Sequence, residues 1–207
     1  MNFVKLQVTN HAQLENWAFH PQPTKDKVMA KQEFVVVGLN GTGRTLASLL
    51  GAYHQGTVTL MDEDLVTKES FNQGYSNVDL GLSKVQAVEE AVTEFSKSST
   101  FRQFTNLDCL LDDLTAQLGN TVVFCCKPMT AKTRAYVAKT LASSCPYLYF
   151  CGYDATGSYT IQDSRDPDYA NNLVELQSCK ENVAKCGLAA VDMFVRHANN
   201  SSEFTGK

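Results

Sequence analysis

A glycine-rich turn between an apolar strand and a helix constrains this chain more than any other feature. Residues 34–43 read Phe-Val-Val-Val-Gly-Leu-Asn-Gly-Thr-Gly, so a β-branched run enters a tight turn at Gly38, and Gly41 and Gly43 open a helix. Glycine permits the sharp turn and lets a ligand approach the backbone closely. The N–H groups that start the helix favour phosphate oxygens. The pattern predicts a β-α-β unit with a nucleotide site at the turn.

An acidic cluster after the second predicted strand strengthens this prediction. The strand at 57–61 runs directly into Asp62, Glu63 and Asp64. An acid at the tip of this strand can accept hydrogen bonds from ribose hydroxyls. The glycines alone are equally compatible with a sharp turn that binds nothing. The strand, the helix and the acids together favour a nucleotide site.

Bulk properties place the chain among ordinary globular domains. It has 207 residues, of which 43% are hydrophobic and 19% charged, and this length fits one domain with a full core. The net charge of −4, with no basic cluster, argues against nucleic acid as the main partner. No apolar run approaches the roughly 20 residues of a membrane helix, and the N-terminus lacks a signal-peptide core. We therefore expect a cytoplasmic address, or a nucleocytoplasmic one in a eukaryote, and no membrane partner.

The seven cysteines are odd in number and form no C-x-x-C pair. This argues against a zinc site and predicts reduced thiols that pack as small core residues. Cys125 and Cys126 fall inside a predicted buried strand, which favours a packing role for both.

Strands and helices alternate along most of the sequence. Strands are predicted at 34–37, 57–61, 101–104, 121–126 and 146–151, with an exposed or antiparallel strand at 157–161. Helices are predicted at 42–54, 83–95, 107–118, 131–143 and 172–198, with Gly187 as a candidate break in the last. This alternation predicts an α/β fold with a doubly wound, mostly parallel, Rossmann-like sheet.

The same patterns divide the chain into three parts. We expect an irregular N-terminal segment at 1–32, a Rossmann-like domain at 33–198 and a mobile tail at 199–207. Residues 65–82 are rich in Ser, Asn and Gly and predict a long loop, which in a compact domain is often functional.

The order of motifs after the acids resembles the ThiF, MoeB and ubiquitin-activating (E1) family of adenylating enzymes. Asn72 and Gln73 follow Asp64 at the spacing of the family's Asn-Arg loop, and Lys84 opens the next helix as in the family's Gly-x-x-Lys-Ala pattern. The resemblance covers residues 34 to about 161. It implies an adenylation domain that dimerises and joins AMP from ATP to the C-terminus of a small β-grasp protein.

The resemblance also implies roles for individual residues. The positions that would bind the nucleotide are Gly38, Gly41, Gly43, Asp62, Asp64, Asn72, Gln73 and Lys84. By this resemblance the glycines frame the ATP phosphates, either aspartate holds the ribose, and Asn72 lies near the phosphates. Lys84 is the catalytic candidate, because a compact ammonium suits the charge that develops on the α-phosphate. Without the resemblance, Lys84 would be equally well explained as a solvated lysine at a helix start.

Departures from the family pattern argue that the chemistry is weakened. Gln73 stands where the family has a phosphate-contacting arginine. Residues 124–130 contain no carboxylate where the family has its Mg²⁺ aspartate, and Lys127 would repel a cation. The N-terminal stretch also lacks the arginine that family members offer across their dimer interface. We therefore expect ATP binding to be weak or vestigial, and we expect no Mg²⁺ site.

These losses resemble those of the non-catalytic subunits of heterodimeric E1 enzymes. Residues 122–127 and 150–160 are most similar to one such subunit, the small SUMO-activating subunit. The first expectation is therefore a pseudoenzyme subunit of a ubiquitin-like-protein activating complex. It would act as a scaffold, dimerising with itself or a related chain, and adenylation would be lost or dependent on the partner. The second is an active ThiF/MoeB-type adenylyltransferase. The third is a NAD-binding oxidoreductase, although no paired acid and base near a hydride site supports it.

Overall fold

One six-stranded sheet organises the part of the chain that the structure describes. A computed structural model describes residues 32–54, 56–94, 100–116, 120–153, 158–166, 169, 176 and 183–203. The strands are β1 Glu33–Val37, β2 Thr57–Met61, β3 Thr100–Phe104, β4 Thr121–Cys125, β5 Tyr147–Tyr153 and β6 Tyr159–Asp163. The helices are α1 Gly41–Tyr53, α2 Lys84–Thr93, α3 Leu107–Ala116, α4 Ala131–Leu141 and α5 Val183–Glu203.

The sheet order is β3-β2-β1-β4-β5-β6. Strands β1 to β5 pair in parallel, and β6 pairs antiparallel with β5. The predicted doubly wound α/β fold is confirmed, including the antiparallel last strand. Because the chain leaves β1 toward β2 and later returns to β4 on its other side, the carboxyl ends of β1 and β4 border the crevice where open α/β sheets bind ligands.

Two apolar cores lie on opposite faces of this sheet. Phe34 and Val36 of β1 pack in the core that α1, α2 and α5 cover. Val35 and Val37 pack in the core that α3 and α4 cover. Successive side chains of a strand point to opposite faces, so β1 is buried on both sides and reads as a continuous apolar run.

Several elements differ from the sequence prediction by one or two residues at their ends, and three differences are larger or bear on the site. The strand predicted to reach Cys126 ends at Cys125. The loop at 65–82 contains two short 3₁₀ helices, Lys68–Gln73 and Asn77–Asp79. Helix α5 passes through Gly187 unbroken and continues into the predicted tail. Its packing along α1 outweighs the roughly 1 kcal/mol that glycine costs a helix.

Some expectations lie outside the described residues. They are the assignments within 1–31, the part of the last predicted helix at 172–182 apart from residue 176, and the end of the tail at 204–207. The predicted helix ends at 95 and at 117–118 and the predicted strand start at 157 also lie outside them. Within the described part of the chain, no helix combines the length and apolar character needed to cross a membrane.

Candidate functional site

The glycine turn is required by the protein's own backbone packing. Gly38 has a φ of 88°, and a Cβ there would lie 2.5 Å from the Lys127 backbone nitrogen. A Cβ on Gly43 would lie 1.8 Å from the carbonyl oxygen of Gly38, where no atom fits. A Cβ on Gly41 would lie 2.7 Å from Cys186 Sγ of α5. None of these contacts needs a ligand, so the case for a site rests on the side chains around the turn.

Asp62 braces the turn from the end of β2. Its side chain accepts a hydrogen bond from the Leu39 amide at Oδ2 (2.6 Å) and one from the Asp64 amide at Oδ1 (2.9 Å). The residue is only 2% exposed. Both carboxylate oxygens are therefore committed to backbone groups, and Asp62 positions the loop from behind the pocket.

Lys84 and Asp64 meet in front of this brace. The Lys84 ammonium donates to Asp64 Oδ2 at 3.1 Å and to Asn40 Oδ1 at 2.9 Å. Lys84 is 4% exposed, whereas the Asp64 side chain is 57% exposed. The Lys84 ammonium, at the start of α2, is thus held between the Asp64 carboxylate, which follows β2, and the Asn40 side-chain amide, which precedes α1. The arrangement places one buried positive charge at the carboxyl edge of the sheet.

An open cavity of about 390 Å³ lies against this cluster. Its lining is polar apart from one side chain and consists of Asn40, Asp64, Leu65, Thr67, Glu69, Ser70, Gln73 and Lys84. Gln73 Oε1 is buried and has no hydrogen-bond partner among the described residues. The lining combines one cation, Lys84, and two carboxylates, those of Asp64 and Glu69, with hydroxyl and amide groups and one exposed leucine. Such a lining suits a polar ligand, and Lys84 is the group that could bind its negative charge.

A buried tyrosine ties the loop at 65–82 to the glycine turn. The Tyr75 hydroxyl donates to the Leu39 carbonyl oxygen at 2.7 Å. Burial raises the pKa of Tyr75 far above its usual value, so the hydroxyl stays a donor. The Arg44 guanidinium lies 5.1 Å above the Tyr75 ring. The pocket wall contributed by this loop is therefore anchored to α1.

The end of β4 offers no carboxylate. Lys127 forms an ion pair with Glu63. Burial raises the pKa of the Cys125 thiol, and a hydrogen bond to Cys151, together with burial, raises that of Cys126. These thiols stay protonated at neutral pH, as expected for packing residues. Across the residues that the structure describes, no three His, Cys, Asp or Glu side chains are grouped to hold a metal ion.

The structure brings some of the predicted site residues together and separates others. Asp64, Gln73 and Lys84 line the pocket. The glycines and Asp62 lie behind it as the support of the turn. Asn72 is exposed and is absent from the lining.

Asn40 lines the pocket but was not among the residues that the sequence predicted for the site, although it stands inside the glycine turn. Asparagine is a favoured residue immediately before a helix, where it usually caps the first turn. The Asn40 side chain instead contacts Lys84, and no local pattern predicts that contact. Thr67, Glu69 and Ser70 also line the pocket. They fall in the loop at 65–82 that the sequence predicted to be functional, but only Asn72 and Gln73 of that loop were named as candidates.

Comparisons with known proteins identify relatives of this architecture. The pattern of the ThiF family matches residues 11–191. The solved structure of PaaA has a TM-score of 0.67 at 14% identity, covering 97% of this chain and 68% of PaaA. No protein of curated function matches the sequence.

Two structures from E. coli are also similar. The tRNA N6-threonylcarbamoyladenosine dehydratase TcdA, in complex with AMP, has a TM-score of 0.62 at 14% identity, covering 87% of this chain and 91% of TcdA. MccB with AMPCPP and MccA has a TM-score of 0.60 at 13% identity, covering 81% of this chain. The match spans only 55% of MccB, about half of its length. At these identities the likeness shows a shared fold.

Proposed function

Because this chain belongs to the ThiF family, we propose that it is a nucleotide-binding subunit of a ubiquitin-like-protein activating complex, with a degenerate site and a scaffolding role. The observation that carries the proposal is how Lys84, the cation that lines the pocket, is hydrogen-bonded. It is bonded to Asp64 and Asn40, while the end of β4 presents Lys127 where adenylation would need a metal ligand. Such a site can bind a nucleotide weakly but is poorly suited to catalyse its adenylation reaction.

In this proposal the phosphates lie against Lys84 and the first turn of α1, and Asp64 accepts hydrogen bonds from the ribose. The support is that Lys84 and Asp64 both line the pocket, and that an ammonium and a helix N-terminus both favour phosphate oxygens. MccB has been crystallised with AMPCPP and TcdA with AMP, which makes an adenine nucleotide the first ligand to test here.

The expected weakness follows from the charges. Adenylation adds negative charge to the α-phosphate in its transition state, and each preorganised group that meets it contributes a factor of about 100–1000 in rate. Gln73 is neutral, Lys127 is paired with Glu63, and the Arg44 guanidinium lies over Tyr75. With Lys84 as the one cation of the pocket lining, we expect no adenylation by the chain alone and little dependence of binding on Mg²⁺.

The second candidate is an active ThiF/MoeB-type adenylyltransferase. The observation in its favour is that the Lys84 side chain reaches the pocket and needs only a second cation, which a partner could supply. ATP–pyrophosphate exchange separates the two candidates, run with the purified chain, with and without partners recovered from the native host. Lys84→Met is the test variant, and Lys139→Met, on an exposed position of α4, is its matched control.

Four outcomes are informative. ATP binding without exchange supports the scaffolding subunit. Exchange that disappears in Lys84→Met but persists in Lys139→Met supports the active enzyme instead. Calorimetry that detects no ATP binding by a folded chain refutes the nucleotide site in both forms, and a rise in reduced-nicotinamide fluorescence on titration would favour the oxidoreductase.

The partners in this proposal are a second ThiF-like chain, identical or related, and a ubiquitin-like β-grasp protein. The support for association is the outer face of α5, where Leu188 is 73% exposed and Val191 is 43% exposed. Met193 of the same helix is fully buried, so the helix presents apolar groups on both sides. Light scattering of the chain with and without Leu188→Glu tests the homodimer, and a monomer from which no partner is recovered in the host argues against association.

A further inference from the structure

The start of α1 differs from the other α-helix starts that the structure describes together with the preceding residue. Ser83 caps α2 by accepting from a backbone amide of its first turn at 3.1 Å. Thr130 caps α4 in the same way at 3.1 Å, and Asn106 caps α3 at 2.8 Å. Asn40 precedes α1 but makes no capping hydrogen bond. One of the best capping residues thus leaves the first-turn amides of α1 uncapped.

The side chain of Asn40 reaches Lys84 instead. Its Oδ1 accepts from the Lys84 ammonium at 2.9 Å, across 44 positions of sequence. The ammonium is therefore held within one side chain's length of the positive end of the α1 dipole, where a cation is disfavoured. The amide oxygen of Asn40 and the carboxylate of Asp64 offset this repulsion.

We infer that Asn40 is a gate of the pocket that limits its affinity for polyphosphates: its amide oxygen occupies the position against Lys84 that an oxygen of a nucleotide polyphosphate takes. The inference rests on the proposed nucleotide-binding function. Lys84 has three N–H donors, of which Asn40 and Asp64 take two. An anionic oxygen makes a stronger bond to an ammonium than a neutral amide does, so a polyphosphate displaces Asn40.

The gate has a measurable consequence for affinity. In this inference a phosphate oxygen takes the N–H donor of Lys84 that Asn40 occupies, so the native residue lowers affinity for the whole class of polyphosphates. Removing the side chain releases Lys84 without removing the cation. Asn40→Gly is structurally mild, because Asn40 has ordinary extended backbone angles (φ −68°, ψ 177°) and does not cap the helix. Asn40→Asp makes the opposite change, since its carboxylate would pair with Lys84 and repel phosphate.

The experiment is calorimetry of the full chain and both variants, without Mg²⁺, using ATP and inorganic tripolyphosphate as ligands. We expect Asn40→Gly to bind both ligands about 10-fold more tightly, which equals about 1.4 kcal/mol. We expect Asn40→Asp to bind both ligands at least about 10-fold more weakly, because its carboxylate would pair with Lys84 and repel the phosphates. Tripolyphosphate carries the phosphates without the nucleoside, so an effect confined to ATP would overturn the inference.

Failure of the gate and failure of the nucleotide function give different results. If the native chain binds ATP and Asn40→Gly binds it equally or less tightly, the gate is refuted and the nucleotide function stands. If neither the native chain nor Asn40→Gly binds either ligand while both remain folded by circular dichroism, the proposed function is refuted together with the gate.

Discussion

Asp62 and Asp64 both follow β2 but bind different groups: Asp62 accepts hydrogen bonds from backbone amides, and Asp64 pairs with Lys84. Replacing each by asparagine therefore tests the two roles separately. The Asp62 carboxylate accepts from the Leu39 and Asp64 amides at 2.6 and 2.9 Å and is almost fully buried. In Asp62→Asn one acceptor oxygen becomes an NH₂ group that faces a backbone N–H. One buried donor then loses its partner, and the remaining bond loses its charge.

The size of the effect follows from these contacts. Losing a buried hydrogen bond to a charged group costs about 1.5–3 kcal/mol. In a domain of this length each kcal/mol changes Tm by about 2–4 °C. We therefore expect Asp62→Asn to lower Tm by about 3–12 °C in a calorimetric or circular-dichroism melt.

Asp64→Asn is the matched control. Its side chain is 57% exposed and its ion pair with Lys84 is largely open to solvent on the Asp64 side. The amide oxygen that this substitution leaves can still accept from the buried Lys84 ammonium, which also keeps its bond to Asn40, so we expect a loss of about 1 kcal/mol and a fall in Tm of about 2–4 °C. Equal losses of Tm in the two variants, or no loss in Asp62→Asn, would refute the assignment of Asp62 as the brace of the turn.

Two further predictions concern pH and the glycines. Burial, helped by the charge of Arg165, lowers the pKa of His197 to about 4, whereas the unfolded chain takes up this proton near pH 6.5. The unfolded state therefore binds more protons in this window, and the free energy of unfolding should fall by about 3 kcal/mol as pH drops from about 6.5 to 4. Urea unfolding at a series of pH values should show this slope, and it should be clearly smaller in His197→Phe, where the part contributed by His54, whose pKa burial also lowers, remains. Gly43→Ala places a Cβ 1.8 Å from a carbonyl oxygen and should cost about 3 kcal/mol or more of unfolding free energy. Gly187→Ala meets no atom within 4 Å and should stabilise α5 by about 0.5–1 kcal/mol; urea titration showing equal effects would contradict the packing argument.

The sequence by itself determined the elements and much of their arrangement. The predicted strand at 57–61 coincides with β2, and α1 begins within one residue of its predicted start. These features are local: strand and helix periodicity, and glycines where the backbone must turn sharply. Alternating strands and helices also imply a parallel sheet, because each helix returns the chain to the same end of the sheet, so that the next strand runs in the same direction.

Only the tertiary structure decided which side chains meet at the site. Asp62 and Asp64 are two positions apart, so strand periodicity places them on the same face and cannot separate brace from pocket wall. The two roles differ because of how the chain bends after Met61, which brings the Asp62 carboxylate to the Leu39 amide. Asn40 has a strong local preference for capping, and a lysine 44 positions away overrides it. Contacts between residues far apart in sequence leave no periodic pattern, so they become visible only when the sheet has brought its loops together.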